Sequence, residues 1–157
     1  MNDSIKTYLH DHLAGSHFAI HLLESVHDQH RDEELGAFIR ILLAEIREDQ
    51  AVLQGIIDEV GTPVLDVARV AGWVAEKVSQ FKLNRTAHGD IGTFEAMETL
   101  TLGIKGKVAL WKTLTAVSEF DLRVPKRNYL ELIERGEDQF RRAETRRLAL
   151  AESAFGG

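Results

Sequence analysis

At 157 residues and 17.6 kDa, with 44% hydrophobic and 28% charged residues, the chain suffices for one well-filled domain and not for two. Its 19 basic and 25 acidic residues leave a net charge of -6, the wrong sign for a protein that binds nucleic acid by displacing counterions. Cysteine is absent, which excludes disulfides, thiolate metal sites and cysteine nucleophiles.

Ile5, Leu9, Leu13, Ile20, Leu23 and Val26 recur at helical spacing and predict a first helix over residues 4–29. A second, over 32–60, opens on Asp32, Glu33 and Glu34, where the helix dipole favours acids. Its apolar stripe runs from Leu35 through Ile39, Leu42, Ile46, Leu53 and Ile56 to Val60, and Gly61 and Pro63 end it. Val64, Val67, Ala71, Val74, Val78 and Phe81 trace a shorter amphipathic helix within 63–83. Two more long helices are expected at 90–118 and 125–155. The earlier of them is apolar on two sides, with Phe94, Met97, Ile104, Val108 and Trp111 facing one way and Leu102, Gly106, Leu110, Leu114 and Val117 broadly the other. A helix buried on one side only has no use for a second stripe. The crossover helix around Trp73, a second subunit in a homodimer or larger homo-oligomer, or both are expected to cover it, with Gly103 and Gly106 permitting close backbone approach.

The expected architecture is a single all-α domain over 1–157, a four-helix bundle with one long, helix-containing crossover between helices 2 and 3. Short connections make helices 1–2 and 3–4 antiparallel, and a crossover of ~25–30 residues lets helices 2 and 3 run parallel, which is the ferritin-like arrangement. The stretches Leu9-His10-Asp11-His12-Leu13-Ala14-Gly15, Glu45-Ile46-Arg47-Glu48-Asp49, Gly72-Trp73-Val74-Ala75-Glu76-Lys77 and Leu102-Gly103-Ile104-Lys105-Gly106-Lys107 resemble those of small, uncharacterised bacterial proteins of the ferritin-like superfamily. The resemblance spans roughly residues 5–150. It implies the fold and brings no established activity with it.

A ferritin-like di-metal centre takes a Glu from each of two helices and Glu-x-x-His from the other two. One Glu-x-x-His occurs, Glu24-Ser25-Val26-His27, and it lies on the first helix. The corresponding stretches of helices 2 and 4 are Glu45-Ile46-Arg47-Glu48 and Glu137-Asp138-Gln139-Phe140, without the histidine. Iron or manganese at Glu45, Asp49, Glu137 and His12 is therefore the alternative, and no cofactor is the expectation. His17, His21 and Glu24 share a face of helix 1 and form at most an adventitious surface site for a metal.

His12 and Asp49 interrupt the apolar stripes of helices 1 and 2. With up-down-down-up threading they lie level with Lys105 and Glu137, and Glu45 sits at the margin. Buried charges need partners, so these five are expected to form a salt-bridged layer in which Lys105 supplies the cation. Residues 1–60 hold four basic and 12 acidic residues, and 61–157 hold 15 and 13. An acidic hairpin docking on a slightly basic one follows from that asymmetry. Arg141, Arg142, Arg146 and Arg147, interleaved with Glu137, Asp138 and Glu144, read as a solvated salt-bridged face.

No nucleophile elbow or phosphate loop is present. The first residues lack a secretory signal, and charges interrupt every apolar run short of a membrane span. The functional expectation is a cytoplasmic, metal-free structural, stress-associated or interaction protein that binds neither nucleic acid nor membrane. The alternative is a metal-binding protein or di-iron or di-manganese oxidoreductase with an atypical ligand set.

Overall fold

A computed structural model describes residues 3–61, 71–80 and 89–157. Its helices are α1 (Ser4–Gln29), α2 (Glu34–Val60), α3 (Asp90–Val117), α4 (Tyr129–Ala149) and the short α5 (Ala151–Phe155). Residues 71–80, between α2 and α3, are also helical, and no strand occurs among the described residues. The protein is all-α. The remainder of the crossover helix expected over 63–83 lies outside the described residues. No helix among them is long and apolar enough to cross a membrane.

The α1–α2 turn is tight because residue 36 is glycine. A Cβ there would stand 2.0 Å from the His30 carbonyl oxygen, which already accepts a hydrogen bond from the Glu33 amide. Gly61 ends α2 in a positive-φ conformation (95°) that side-chain-bearing residues rarely adopt. The fourth long helix starts at Tyr129, four residues later than Pro125 suggested. Asn128 accepts a hydrogen bond from the Glu131 amide (3.2 Å), and this side-chain cap sets the start instead of the proline. The same helix breaks at Leu150, and α5 lays Phe155 edge-on against Phe94 of α3, with 5.1 Å between ring centres.

Contacts at the helix ends fix the directions. Tyr8 near the start of α1 donates to Thr113 near the end of α3 (3.2 Å), and His30 beyond the end of α1 meets Thr93 at the start of α3 (3.3 Å). Along α2, Glu34, Glu45, Glu48 and Glu59 pair with Arg146, Arg142, Arg135 and Arg127 respectively. Hence α1 is antiparallel to α3, α2 is antiparallel to α4, and α2 and α3 run the same way. The acidic hairpin does meet a basic helix. The arginines of α4 are accordingly more than a solvated face, because Arg142 and Arg146 reach across to α2 and Arg147 reaches Glu98 on α3.

Residues of both apolar stripes of α3 are buried against its long neighbours. Leu110 and Leu114 join Leu9, Ile56 and Tyr129 in one core cluster, while Met97 and Ile104 join Leu23, Leu42 and Ala143 in another. Leu110 and Leu114 of the second stripe are thus buried within the bundle itself. Trp73 itself is nearly half exposed, and Leu102 faces solvent at 69% exposure. The glycine expectation also changes. No heavy atom lies within 4 Å of where a Cβ would stand at Gly103 or Gly106, whereas at Gly136 a Cβ would lie 2.6 Å from Val108 Cγ2. The close helix approach is therefore between α3 and α4 at Gly136.

Candidate functional site

The two apolar clusters are parted at mid-height by charge. Asp49, only 3% exposed, interrupts the α2 stripe between Ile46 and Leu53, and Lys107 interrupts α3 between Ile104 and Leu110. The Lys107 ammonium donates to Asp49 Oδ2 at 2.6 Å and to the side-chain oxygen of Gln139, which is fully buried on α4. Gln139 Nε2 donates in turn to the same carboxylate oxygen at 3.1 Å. Arg135 closes the group. Its Nε lies 3.5 Å from Asp49 Oδ1, and its terminal nitrogen donates to the Glu45 carbonyl (2.9 Å) and the Glu48 carboxylate (2.8 Å). One helical turn along α2, Glu45 takes a two-pronged contact from Arg142 at 2.8 and 2.9 Å.

Burial works against the charge of Lys107 and holds its pKa below the ordinary lysine value, although Asp49 pulls the other way. A buried ion pair is weak evidence for stability, because desolvating the ions offsets their attraction.

A polar layer is present, but two of its members are not those expected. Lys105 and Glu137 do pair, at 2.8 Å, on the outer surface, where Lys105 is 46% exposed and also lies over the Phe140 ring. Lys112 approaches the same glutamate at 3.8 Å. The lysine's hydrogen bond holds the Glu137 carboxyl below the usual range. Lys107 and Gln139 take the interior places, each two residues further on, which is about 200° around a helix and so the opposite face. Asp49 is in the layer and Glu45 borders it, as the stripes implied. His12 is half-buried with its ring edge-on to Tyr8 (4.7 Å between centres), and it makes no hydrogen bond to the layer. A buried amide such as Gln139 carries no charge to flag it, so the sequence left it unmarked.

The di-metal donor set does not fit. Asp49, Glu45 and Glu137 are each held by a cation, and Glu137 faces away from the other two. Among the described residues no group of three His, Asp or Glu is arranged to hold a metal ion. On the surface, His21 lies 3.7 Å from Glu24, whose carboxylate is held by Arg47 at 2.6 Å, and His17 faces Gln50 at 3.3 Å.

Beside the layer, α1, α2 and α3 line a half-open pocket of about 430 Å³, bordered by Phe18, Leu22, Leu53, Leu100 and Trp111 together with His12, Ser16, Asp49, Gln50 and Lys107. Gly15, Gly103 and Gly106 form part of its wall. Nothing in the stripes announced it, because a void is a property of three helices together.

His10 and His12 are both held below the ordinary histidine pKa of 6.5 by burial, with Asp11 offsetting part of the effect. In the unfolded chain they titrate near 6.5, so below that value protons favour the unfolded state. Their contribution to stability is intact above 6.5 and is lost as pH falls from there through the folded-state values. Thermal melts are expected to fall from about pH 7 to about pH 5, and to fall less steeply in His12→Gln. An equal slope in that variant would remove His12 from the account.

Compared with protein-family models, with curated protein sequences and with solved structures, the chain matches none.

Proposed function

We propose that the chain is a ferritin-like four-helix bundle, cytoplasmic and metal-free, in which a salt-bridged layer stands where relatives of that architecture hold a di-metal centre. It acts as a binding or interaction module and not as a redox enzyme. The observation that carries this reading is Asp49, a buried carboxylate neutralised by a lysine from the diagonally opposite helix. Two acids on facing helices repel unless a cation lies between them, and Lys107 supplies one from within the chain. The parallel course of α2 and α3 across a long connection supports the ferritin-like part of the reading.

The oxidoreductase alternative requires Lys107, Arg142 and Lys105 to release Asp49, Glu45 and Glu137, and it requires Glu137 to turn inward. Metal analysis of untagged protein by mass spectrometry, followed by iron titration under oxygen, tests the choice. Less than about 0.1 metal ion per chain is expected, since every carboxylate of the layer is already matched. Iron or manganese at one or more ions per chain would overturn the reading and restore the enzyme.

A further inference from the structure

We propose that the cavity between α1, α2 and α3 is a binding site for a small, uncharged, largely apolar molecule carrying one hydrogen-bond acceptor of the carbonyl class, with Lys107 as the group that meets the acceptor. This goes beyond the preceding reading, because it assigns a ligand class to a void that the charge layer does not require.

Size and lining come first. About 430 Å³ is within the range of small-molecule pockets, roughly 300–1,000 Å³. The walls are mostly carbon, from Phe18, Leu22, Ile46, Leu53, Leu100 and Leu110. Apolar walls with a few polar groups are what a compact organic molecule uses to leave water and still be oriented.

Donor capacity comes second. A lysine ammonium has three N–H groups, and Lys107 directs two of them to Asp49 and Gln139. The third has no acceptor among the described residues. That unspent group is a donor, so the complementary ligand brings an acceptor.

Charge decides the rest. Asp49 already balances Lys107, and Glu48 balances Arg135. An anionic ligand would place an uncompensated charge beside Asp49, with Asp11 also on the rim. A cationic ligand would face the ammonium. A neutral acceptor disturbs neither balance.

The glycines agree with this. Gly15, Gly103 and Gly106 lie in helix interiors, where glycine is a poor choice, and none has positive φ or a neighbour close enough to forbid a side chain. What they have in common is the cavity wall. Retaining them keeps the space open.

The test uses the full chain and the fluorescent ketone 6-propionyl-2-(dimethylamino)naphthalene. Saturable binding of one molecule per chain is expected, with the emission shifted to the blue by the apolar walls. The parent 2-(dimethylamino)naphthalene, which lacks the carbonyl, is expected to bind about tenfold more weakly, the worth of one hydrogen bond to a charged donor. The anionic 6-(p-toluidino)naphthalene-2-sulfonate is expected to be weaker again. Gly106→Leu fills the space and is expected to lower ketone affinity by at least about tenfold without lowering the melting temperature. Gly15→Leu, on the opposite wall, repeats the test should the first variant fold poorly. Replacing the pair together, Asp49→Leu with Lys107→Met, is expected to erase the preference for the ketone over its parent. Absence of saturable binding, affinity indifferent to both leucine variants, or a preference for the sulfonate would overturn the proposal. These outcomes are independent of metal content, so this inference and the metal-free reading fail separately.

Discussion

Lys107→Met is expected to destabilise the fold by about 3–5 kcal/mol, because it removes the shortest ion pair of the buried Asp49 carboxylate, leaving it Gln139 Nε2 and the more distant Arg135, and takes the donor from the Gln139 amide oxygen. Lys105→Met, only two residues away, is expected to change stability by about 0–1 kcal/mol, since its pair with Glu137 is partly exposed and screened. The same substitution thus separates an interior lysine from a surface one. Replacing both partners, Asp49→Leu with Lys107→Met, is expected to recover most of the loss. Burial holds the pKa of Lys107 below its ordinary value although Asp49 pulls the other way, and apolar groups of similar size carry no desolvation cost. Chemical denaturation of the three variants checks the set. A double variant as unstable as Lys107→Met alone would mean that the layer contributes stability as well as register.

The glycines offer a second contrast of sign. Gly136→Ala is expected to destabilise by about 1–2 kcal/mol, although alanine is the better helix former. Its Cβ would stand 2.6 Å from Val108 Cγ2, and a valine inside a helix has essentially one comfortable rotamer with which to yield. Alanine at Gly15, Gly103 and Gly106 together is expected to stabilise by about 1.5–3 kcal/mol, because each gains helix propensity and meets no neighbour. For a chain of this size that corresponds to a rise in melting temperature of several degrees, about 2–4 °C per kcal/mol. A triple variant that melts below the parent would show that these glycines serve the fold and not the cavity.

Much of the architecture was legible in the residues themselves. The first helix falls on its expected bounds, and the second and third differ from theirs by no more than two residues, because a 3.6-residue apolar period sustained over seven turns has few other interpretations. Asp49 was legible for a related reason. A lone charge inside an otherwise unbroken stripe has to be buried, and a buried charge has to be paired. The charge asymmetry between the two halves of the chain likewise pointed to docking of an acidic hairpin on a slightly basic one, and the structure places the ion pairs between α2 and α4.

What the tertiary structure alone decided is which cation pairs with Asp49. On α3 the apolar residues run nearly all the way round, so the helix wheel has no marked inner side and Lys105 and Lys107 compete on equal terms. Packing against α1 and α4 together sets the rotation of α3, and that rotation turns Lys107 in and Lys105 out. Gln139 follows by the same logic, because the contact of Gly136 with Val108 brings α4 close in a register that the sequence of α4 alone does not specify. The cavity belongs entirely to this level. Gly103 and Gly106 on its wall read, in their own helix, as small residues for close packing, and only the separation of three helices shows that nothing fills the space beside them.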